Sequence, residues 1–334
     1  MEGITPENQR ANQQLKSSAL NTTRRTDAPP QPSPHLPLPT RDGVGPSCVG
    51  VPAGPWPTFL DFLLARFPGV TRETWLARMQ AREVIDEHGV PVTADRAFEP
   101  HRRVYYYRSL PAEPRVPFEA SIVFRDAHLL VVDKPHFLAV APTGKYLQET
   151  LLVRLKRGLG IEALVPIHRI DRGTAGLVLF SVDPATRGSY QTLFSQRQVR
   201  KVYEAVVHWP AGMAATALPP VRRSRMAPDA DAFMRTAEID GEPNSETHFE
   251  FVERRPDDRA LLRLSPVTGR RHQLRVHCAA LGLPIVNDPI YPALLAEGEE
   301  DHARPLQLLA KALAFTDPVS GESRSFDSRL RLSG

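Results

Sequence analysis

The stretch His168–Phe180 reads HRIDRGTAGLVLF and joins a charged loop to a run of apolar residues. The apolar run Leu177–Phe180 predicts a buried strand. In the loop before it, Asp171 lies between Arg169 and Arg172. Flanking cations favour the ionised form of a carboxylate, which can then act as a nucleophile or a general base. The stretch predicts a reactive carboxylate at the start of a core strand, with an ordinary surface ion-pair loop as the alternative interpretation.

A second basic motif, Thr268–His277, reads TGRRHQLRVH. Thr268 can cap a helix that is expected to run over residues 269–281. The free N–H groups at a helix start favour an anion, and Arg270 lies at this start. Arg275 can point inward, where a buried arginine needs a carboxylate partner, and Asp171 is the obvious candidate. The motif predicts an anion site beside an arginine–carboxylate pair.

A third motif, Lys201–Val206, reads KVYEAV and has the alternation of a strand. Tyr203 and Ala205 share one face of that strand. A tyrosine there supplies a ring for stacking with a polar tip. A core tyrosine with a hydrogen-bonded hydroxyl is the alternative interpretation.

The chain divides into four parts. Residues 1–55 are proline-rich, without apolar periodicity, and are expected to be disordered. Residues 56–108 predict a compact basic module with two helices and a short hairpin, and residues 109–117 predict a stiff proline-rich linker. Strands outnumber helices in residues 118–332 without a βαβ rhythm, which predicts an α+β domain with a mixed, mostly antiparallel sheet.

Composition excludes several classes of protein. No run of the 334 residues approaches the 18 consecutive apolar residues of a membrane span, and two cysteines exclude a disulfide framework. The 42 Lys and Arg residues against 38 Asp and Glu give a net charge of +4, which permits nucleic acid as a partner without requiring it. The N-terminus lacks the apolar core of a signal peptide, so a cytoplasmic protein is expected.

Taken together, these segments resemble the RluA family of RNA pseudouridine synthases. HRIDRGTAGLVLF is similar to the family's motif around the catalytic aspartate, and TGRRHQLRVHCAALGLPIVNDPIYP, KVYEAVV and LLVVDKPHFLAV resemble three further family segments. The segments follow the family's order within residues 118–318. Residues 56–108 resemble, more weakly, an S4-like RNA-binding module. The resemblance implies a pseudouridine synthase catalytic domain preceded by that module.

The resemblance also implies roles for single residues. Asp171 would be the catalytic aspartate, Tyr203 would stack on the target base, and Leu274 would pack on its other side. Arg275 would pair with Asp171, and Arg169 would enter the space that the flipped uridine leaves. Three further basic residues of these motifs complete the candidate substrate-binding set, namely Arg172, Arg270 and His272.

The implied reaction isomerises uridine to pseudouridine in structured RNA, with rRNA favoured over tRNA. The C1′–N1 bond breaks and C5 joins C1′ without redox or group transfer, so no cofactor or metal is expected. The carboxylate either attacks C1′ or removes a sugar proton, and the sequence does not choose between these. The uridine must leave its stack to be reached. A monomer without an obligate protein partner or a membrane contact is expected.

Two other functions fit parts of the sequence. A non-catalytic RNA-binding or RNA-folding protein could use the same scaffold. A metal-dependent hydrolase could be built from His168, Asp171, His272 and His277. The last two residues are five apart and share no helix face, whereas helical metal sites place two histidines at i and i+4.

Overall fold

The computed structural model of the chain describes residues 39–108, 113–144, 146–229, 232, 234–295 and 301–333. Residues 1–38 of the predicted disordered tail and residues 109–112 of the predicted linker lie outside these ranges. No helix within the ranges is long and apolar enough to cross a membrane. The strands that are described form two sheets, one small and one large.

The small sheet belongs to an N-terminal module. Its elements are β1 (Ser47–Gly50), α1 (Phe59–Arg66), α2 (Arg72–Gln80), β2 (Val84–Asp86) and β3 (Arg103–Tyr106). The strands pair antiparallel in the order β1–β3–β2. Helix α1 begins with a capping box in which the Thr58 hydroxyl accepts from the Asp61 N–H at 3.2 Å and the Asp61 carboxylate accepts from the Thr58 N–H at 3.2 Å. Both helices predicted in this module are therefore present.

Strand β1 corrects one boundary. The prediction of disorder through residue 55 is wrong for Ser47–Gly50, because all four residues pair with β3. Val49 is buried in the same apolar cluster as Phe59 and Trp75. A short strand without apolar periodicity cannot be predicted from its own residues when its pairing partner lies far along the chain. The partner of β1 is β3, which begins more than 50 residues later.

The large sheet has eleven strands in the region described. Its strands are β4 (Ser121–Arg125), β5 (Leu129–Lys134), β6 (Val165–Pro166), β7 (Ala175–Ser181), β8 (Arg200–His208), β9 (Val221–Pro228), β10 (Thr236–Ile239), β11 (Ser245–Arg255), β12 (Arg259–Pro266), β13 (Leu308–Thr316) and β14 (Ser323–Asp327). The helices are α3 (Leu151–Leu159), α4 (Arg187–Ser195) and α5 (Gln273–Ala280). The main path runs β10–β9–β11–β12–β8–β13–β7–β5–β4, with β14 on β13 and β6 on β7. Among the strands in the described ranges, only β13 and β7 pair in parallel, so the predicted α+β fold with a mixed, mostly antiparallel sheet is confirmed.

The central strands are apolar on both faces because both faces of the sheet are covered. On β5 and β7, alternate residues enter two different apolar clusters. Leu130 and Val178 pack on one face, and Leu129 and Leu177 pack on the other. This double burial explains the continuous apolar runs that predict these strands.

The junction of β7 with β13 positions the charged loop before β7. Gly176 has a φ of +110°, and a Cβ at this position would lie 2.3 Å from the carbonyl oxygen of Ala310. A side chain there would therefore clash with the backbone of β13. The close approach brings residues 169–174 towards β8, the neighbour of β13 on the other side.

Helix α5 begins later than the sequence predicts. It starts at Gln273 rather than at residue 269, and His272 before it has a left-handed φ of +56°. The Thr268 hydroxyl donates to the Gln273 side-chain oxygen at 2.7 Å and accepts from the Glu246 N–H at 2.9 Å. Thr268 therefore bonds across to β11 instead of capping the helix, and residues 268–272 form a loop.

Candidate active site

A cavity of about 110 Å³ lies between the loop before β7, strand β8 and the start of α5. Seven of the eight predicted site residues line it, namely Arg169, Asp171, Tyr203, Arg270, His272, Leu274 and Arg275. The eighth, Arg172, does not line the cavity, and its guanidinium lies 4.4 Å from the ring centroid of Tyr146. Three separate sequence motifs thus meet at one place.

Arg275 contacts two carboxylates. Its Nε donates to Asp288 Oδ2 at 2.7 Å and its Nη2 donates to Asp288 Oδ1 at 2.6 Å, which is a bidentate pair. Its Nη1 lies 3.4 Å from Asp171 Oδ2. Burial opposes the charge of Arg275, but the hydrogen bonds and charge of Asp288, with that of Asp171, raise its pKa. The sequence names Asp171 as the partner, whereas the main partner is Asp288.

The Asp171 side chain has fewer close partners than that of Asp288. Its backbone carbonyl accepts from the Thr174 N–H at 3.1 Å, which closes the loop before β7. Its carboxylate lies 3.4 Å from Arg275 and 3.9 Å from His272 Nε2. The side chain is 31% exposed, so the carboxylate has both a neighbouring cation and an open side towards the cavity.

Lys134, which was not singled out as a site residue, supports this loop from beneath. It ends β5 with no exposed surface, and its Nζ donates to the carbonyl oxygens of Pro135 and Leu138, both at 2.8 Å. A third bond, 3.2 Å long, reaches the carbonyl of Arg172. Burial lowers the pKa of Lys134 to about 7, against the attraction of Asp171. A lysine at the end of an apolar strand was the available signal.

Tyr203 and Leu274 form apolar walls of the cavity. Tyr203 lies at the centre of the sheet, where it pairs with Leu264 on β12 and Ala310 on β13. Leu274 is 7% exposed and belongs to the same apolar cluster against which Tyr203 packs. Burial, and then the charge of Asp171, raises the pKa of the Tyr203 hydroxyl. The hydroxyl therefore stays protonated and shares the cavity with the Asp171 carboxylate.

His272 is oriented by Tyr291. The Tyr291 hydroxyl donates to the Thr236 carbonyl at 3.1 Å and accepts from the Thr236 N–H at 2.8 Å. His272 Nδ1 lies 3.1 Å from the same hydroxyl. Burial lowers the pKa of His272 to about 4. The ring is therefore neutral, and its Nε2 lies 3.9 Å from Asp171 Oδ2.

Comparison with known proteins identifies the family to which the chain belongs. The sequence profile of the RNA pseudouridylate synthase family matches residues 128–280, which include Asp171, Tyr203 and Arg275. The dual-specificity RNA pseudouridine synthase RluA of Haemophilus influenzae is 31% identical over 226 residues, which are 66% of this chain and 95% of that protein. The chain belongs to the RluA family of RNA pseudouridine synthases. It is an isomerase that acts on RNA.

Two further relatives support the assignment. An uncharacterized RNA pseudouridine synthase of Synechocystis sp. is 29% identical over 232 residues, which are 70% of this chain and 78% of that protein. The solved structure of human RNA pseudouridylate synthase domain containing 1 is 26% identical with a TM-score of 0.52, covering 65% of this chain and 86% of that chain. The large sheet domain is therefore a pseudouridine synthase fold.

The histidines that could suggest a metal site are used elsewhere in the synthase. His168 Nε2 accepts from the Leu179 N–H at 3.1 Å, and its ring stacks on Phe194 at 4.5 Å. His277 is fully buried and hydrogen-bonded to Thr247. In the part of the chain that the structure describes, no three potential ligands gather around a metal position. The geometry gives no support to the metal-dependent hydrolase.

Lys201 is a cavity residue of the synthase that sequence reasoning missed. It lies two residues before Tyr203 on β8 and so shares its face. Its Nζ donates to the Thr268 carbonyl at 3.2 Å, and burial, with Arg197, lowers its pKa. No carboxylate among the described residues lies within ion-pair distance of this ammonium. The KVYEAV motif contained the signal, since the spacing that places Tyr203 also places Lys201.

Proposed function

We propose that this synthase isomerises a uridine of structured RNA through Asp171. The observation that carries the proposal is the state of the Asp171 carboxylate: it faces the cavity, it is partly exposed, and Arg275 lies 3.4 Å away. A neighbouring cation stabilises negative charge on a carboxylate, and such a carboxylate serves as a nucleophile or a base. Both routes to pseudouridine, attack on C1′ and removal of a sugar proton, remain open to it.

The target base is proposed to bind between Tyr203 and Leu274. The two side chains supply an aromatic face and an aliphatic face in one cavity, which suits a planar base taken out of its stack. Arg169 is exposed at the same cavity and is proposed to fill the place that the base leaves in the RNA. During the rearrangement N1 leaves C1′, C5 joins C1′, C5 loses a proton and N1 gains one. The two walls would hold the base while it turns.

The RNA backbone is proposed to lie across the basic side chains around the cavity. Lys201 and Arg270 line it, and neither forms an ion pair with a carboxylate within the described ranges. Phosphate contacts of this kind weaken as salt rises. The N-terminal module, proposed to be S4-like, exposes further arginines, namely Arg66, Arg72, Arg82 and Arg103. A second basic surface suits a large folded RNA, so rRNA is proposed as the first substrate and tRNA as the second.

The test is chemical mapping of pseudouridine in rRNA and tRNA from cells with and without the gene. A pseudouridine should disappear from rRNA when the gene is deleted and return when the wild-type gene is restored. The Asp171→Asn gene, which keeps the shape of the side chain and removes its charge, should fail to restore it. Purified Asp171→Asn protein should still bind the RNA substrate.

Each outcome decides a different part of the proposal. Loss of a pseudouridine from tRNA alone would replace rRNA by tRNA as the substrate. Restoration of the modification by Asp171→Asn would overturn the role of Asp171. An unchanged modification map in both RNA classes would overturn the proposed substrates.

A further inference from the structure

A buried polar chain connects α5 to the neighbouring strands beside the cavity. Gln273 opens the helix and His277 lies four residues further, so both side chains are on one face. Gln273 is 4% exposed, and His277 and Thr247 have no exposed surface. We propose that these three are positioning residues, which fix α5 so that Leu274 and Arg275 meet the base and Asp171. The inference rests on the proposed function, in which those two residues act at the cavity.

Gln273 uses its whole amide group. Its nitrogen donates to the Glu246 carbonyl and to Thr247 Oγ1, both at 2.9 Å. Its oxygen accepts from the Thr268 hydroxyl at 2.7 Å and from the Arg270 N–H at 3.0 Å. Two donors and two acceptors are the capacity of a side-chain amide. The first residue of α5 is thereby attached to β11 and to the loop that precedes the helix.

The tautomer of His277 follows from its serine partners. The Ser245 hydroxyl donates to the Ser224 carbonyl at 2.7 Å, and the two serine hydroxyl oxygens lie 3.1 Å apart. His277 Nε2 lies 3.0 Å from Ser245 Oγ and 3.1 Å from Ser224 Oγ. Since the Ser245 hydroxyl proton is used in its bond to the carbonyl, the contact of Nε2 with Ser245 Oγ requires that Nε2 carry the proton and donate.

Thr247 joins the two parts of the chain. With the Nε2–H tautomer, His277 Nδ1 is an acceptor, so the Thr247 hydroxyl donates to it at 2.9 Å. The same hydroxyl oxygen accepts from the Gln273 amide. The hydrogen bonds therefore run in one direction from Gln273 through Thr247 and His277 to Ser245. All of these hydrogen bonds can form only at one position and rotation of α5. Buried donors and acceptors that lose their partner have no water to replace it.

The position of α5 determines where its two cavity residues lie. Leu274 and Arg275 lie between Gln273 and His277 in the helix, and both line the cavity, as does Gln273 itself. A rotation of α5 would change the 3.4 Å contact of Arg275 with Asp171. A misplacement of reacting groups by about 1 Å can cost about 100-fold in rate. The chain should therefore affect the rate of isomerisation more than the affinity for RNA.

The test compares Thr247→Val with Thr247→Ser in single-turnover isomerisation of the mapped RNA substrate. Valine keeps the volume of threonine but removes the hydroxyl, whereas serine keeps the hydroxyl. Thr247→Val should lower the rate constant at saturating enzyme by about 10- to 100-fold, while the Kd for RNA changes less than about two-fold. Thr247→Ser should recover most of the lost rate.

A matched control separates positioning from stability. Thr150 is a fully buried threonine that caps α3, away from the cavity, where its hydroxyl accepts from the Val153 N–H. Thr150→Val should lower Tm without lowering the rate constant of the folded protein. A wild-type rate constant for Thr247→Val, or an equal loss for Thr247→Ser, would overturn the inference. Nitrogen NMR that finds the proton of His277 on Nδ1 would overturn the direction of the chain.

Failure of this inference differs from failure of the proposed function. If Asp171→Asn loses activity and Thr247→Val does not, the site stands and the positioning role falls. If Asp171→Asn retains full activity, the proposed function falls whatever Thr247 does.

Discussion

The two carboxylates on either side of Arg275 are held in opposite ways. Asp288 has no exposed side-chain surface, takes both arms of the guanidinium, and accepts from the N–H groups of Ile290 and Tyr291 at 2.8 and 3.1 Å. Asp171 is 31% exposed and has one guanidinium nitrogen at 3.4 Å. A buried carboxylate that accepts four hydrogen bonds, as Asp288 does, can hold a neighbour in place but has no open side from which to react. The comparison identifies Asp288 as the support and Asp171 as the group available for chemistry.

The largest effect is expected from Asp171→Asn. The amide has almost the same shape as the carboxylate but supplies neither a nucleophilic oxygen nor a base. The single-turnover rate constant should fall by at least about 1,000-fold. The free energy of unfolding, measured by urea denaturation, should change by less than about 1 kcal/mol because the side chain is partly exposed. A large loss of stability instead would mean that Asp171, like Asp288, is a structural carboxylate.

The converse variant, Asp288→Asn, should mainly affect the fold. Arg275 is 4% exposed and would keep its charge without its bidentate partner. Breaking a buried pair by removing one partner costs about 3–5 kcal/mol. Urea denaturation should show that loss, and the rate should fall with it because Arg275 loses its orientation. Wild-type stability for Asp288→Asn would remove the distinction between the two carboxylates.

Arg275→Lys tests whether the rate depends on the forked shape of the Arg275 guanidinium, which contacts both carboxylates, or only on its positive charge. A lysine keeps the positive charge but cannot donate to both oxygens of Asp288 and also reach Asp171, since its ammonium is a point charge rather than a fork. We expect the rate constant to fall about 10- to 100-fold, the cost associated with small misplacement of reacting groups. RNA binding, measured by filter retention, should be nearly unchanged. A rate equal to wild type would show that charge alone is sufficient.

The sequence predicts the members of this site better than their partners. The local motifs single out Asp171 and Tyr203 as candidates, and their roles come from the resemblance of these motifs to those of the RluA family. It does not identify Asp288 as the main partner of Arg275, because two carboxylates were available and only the packing of the loop after α5 decides between them. Partner choice is a tertiary property, and a motif records only which side chains are available.

Element boundaries show the same limit. A threonine before a helical pattern predicts a cap, yet Thr268 bonds to β11 and α5 starts at Gln273. Strands β9 and β10 lie in a stretch with many charged residues, and β1 lies in the expected tail. These strands have no strong apolar alternation, because their pairing partners rather than their own side chains define them. The large apolar strands β5 and β7 were predictable because burial alone defines them.

The smallest expected effect concerns the buried Lys134. This lysine contacts the loop that carries Asp171 but not the loop that carries Asp288. Lys134 donates to the Arg172 carbonyl in the Asp171 loop, whereas the Asp288 loop has no lysine beneath it in the ranges described. The pKa of Lys134 is lowered by burial to about 7 from a usual 10.5. Above pH 7 the folded protein therefore loses this proton while the unfolded chain keeps it, so the unfolded state binds more protons. Stability must then rise with pH over that interval, with a slope of at most about 1.4 kcal/mol per pH unit.

The measurement is the difference in unfolding free energy between the wild type and Lys134→Met, at about pH 6 and about pH 9. Methionine fills a similar volume without a titrating group, so other ionisations cancel in the difference. The wild type should gain stability relative to Lys134→Met as the pH rises. A constant difference would show that the three carbonyl oxygens keep the ammonium charged throughout. In that case the Lys134 ammonium would remain charged next to the Asp171 loop. Both Lys134 and Arg275 would then stabilise the negative charge of Asp171.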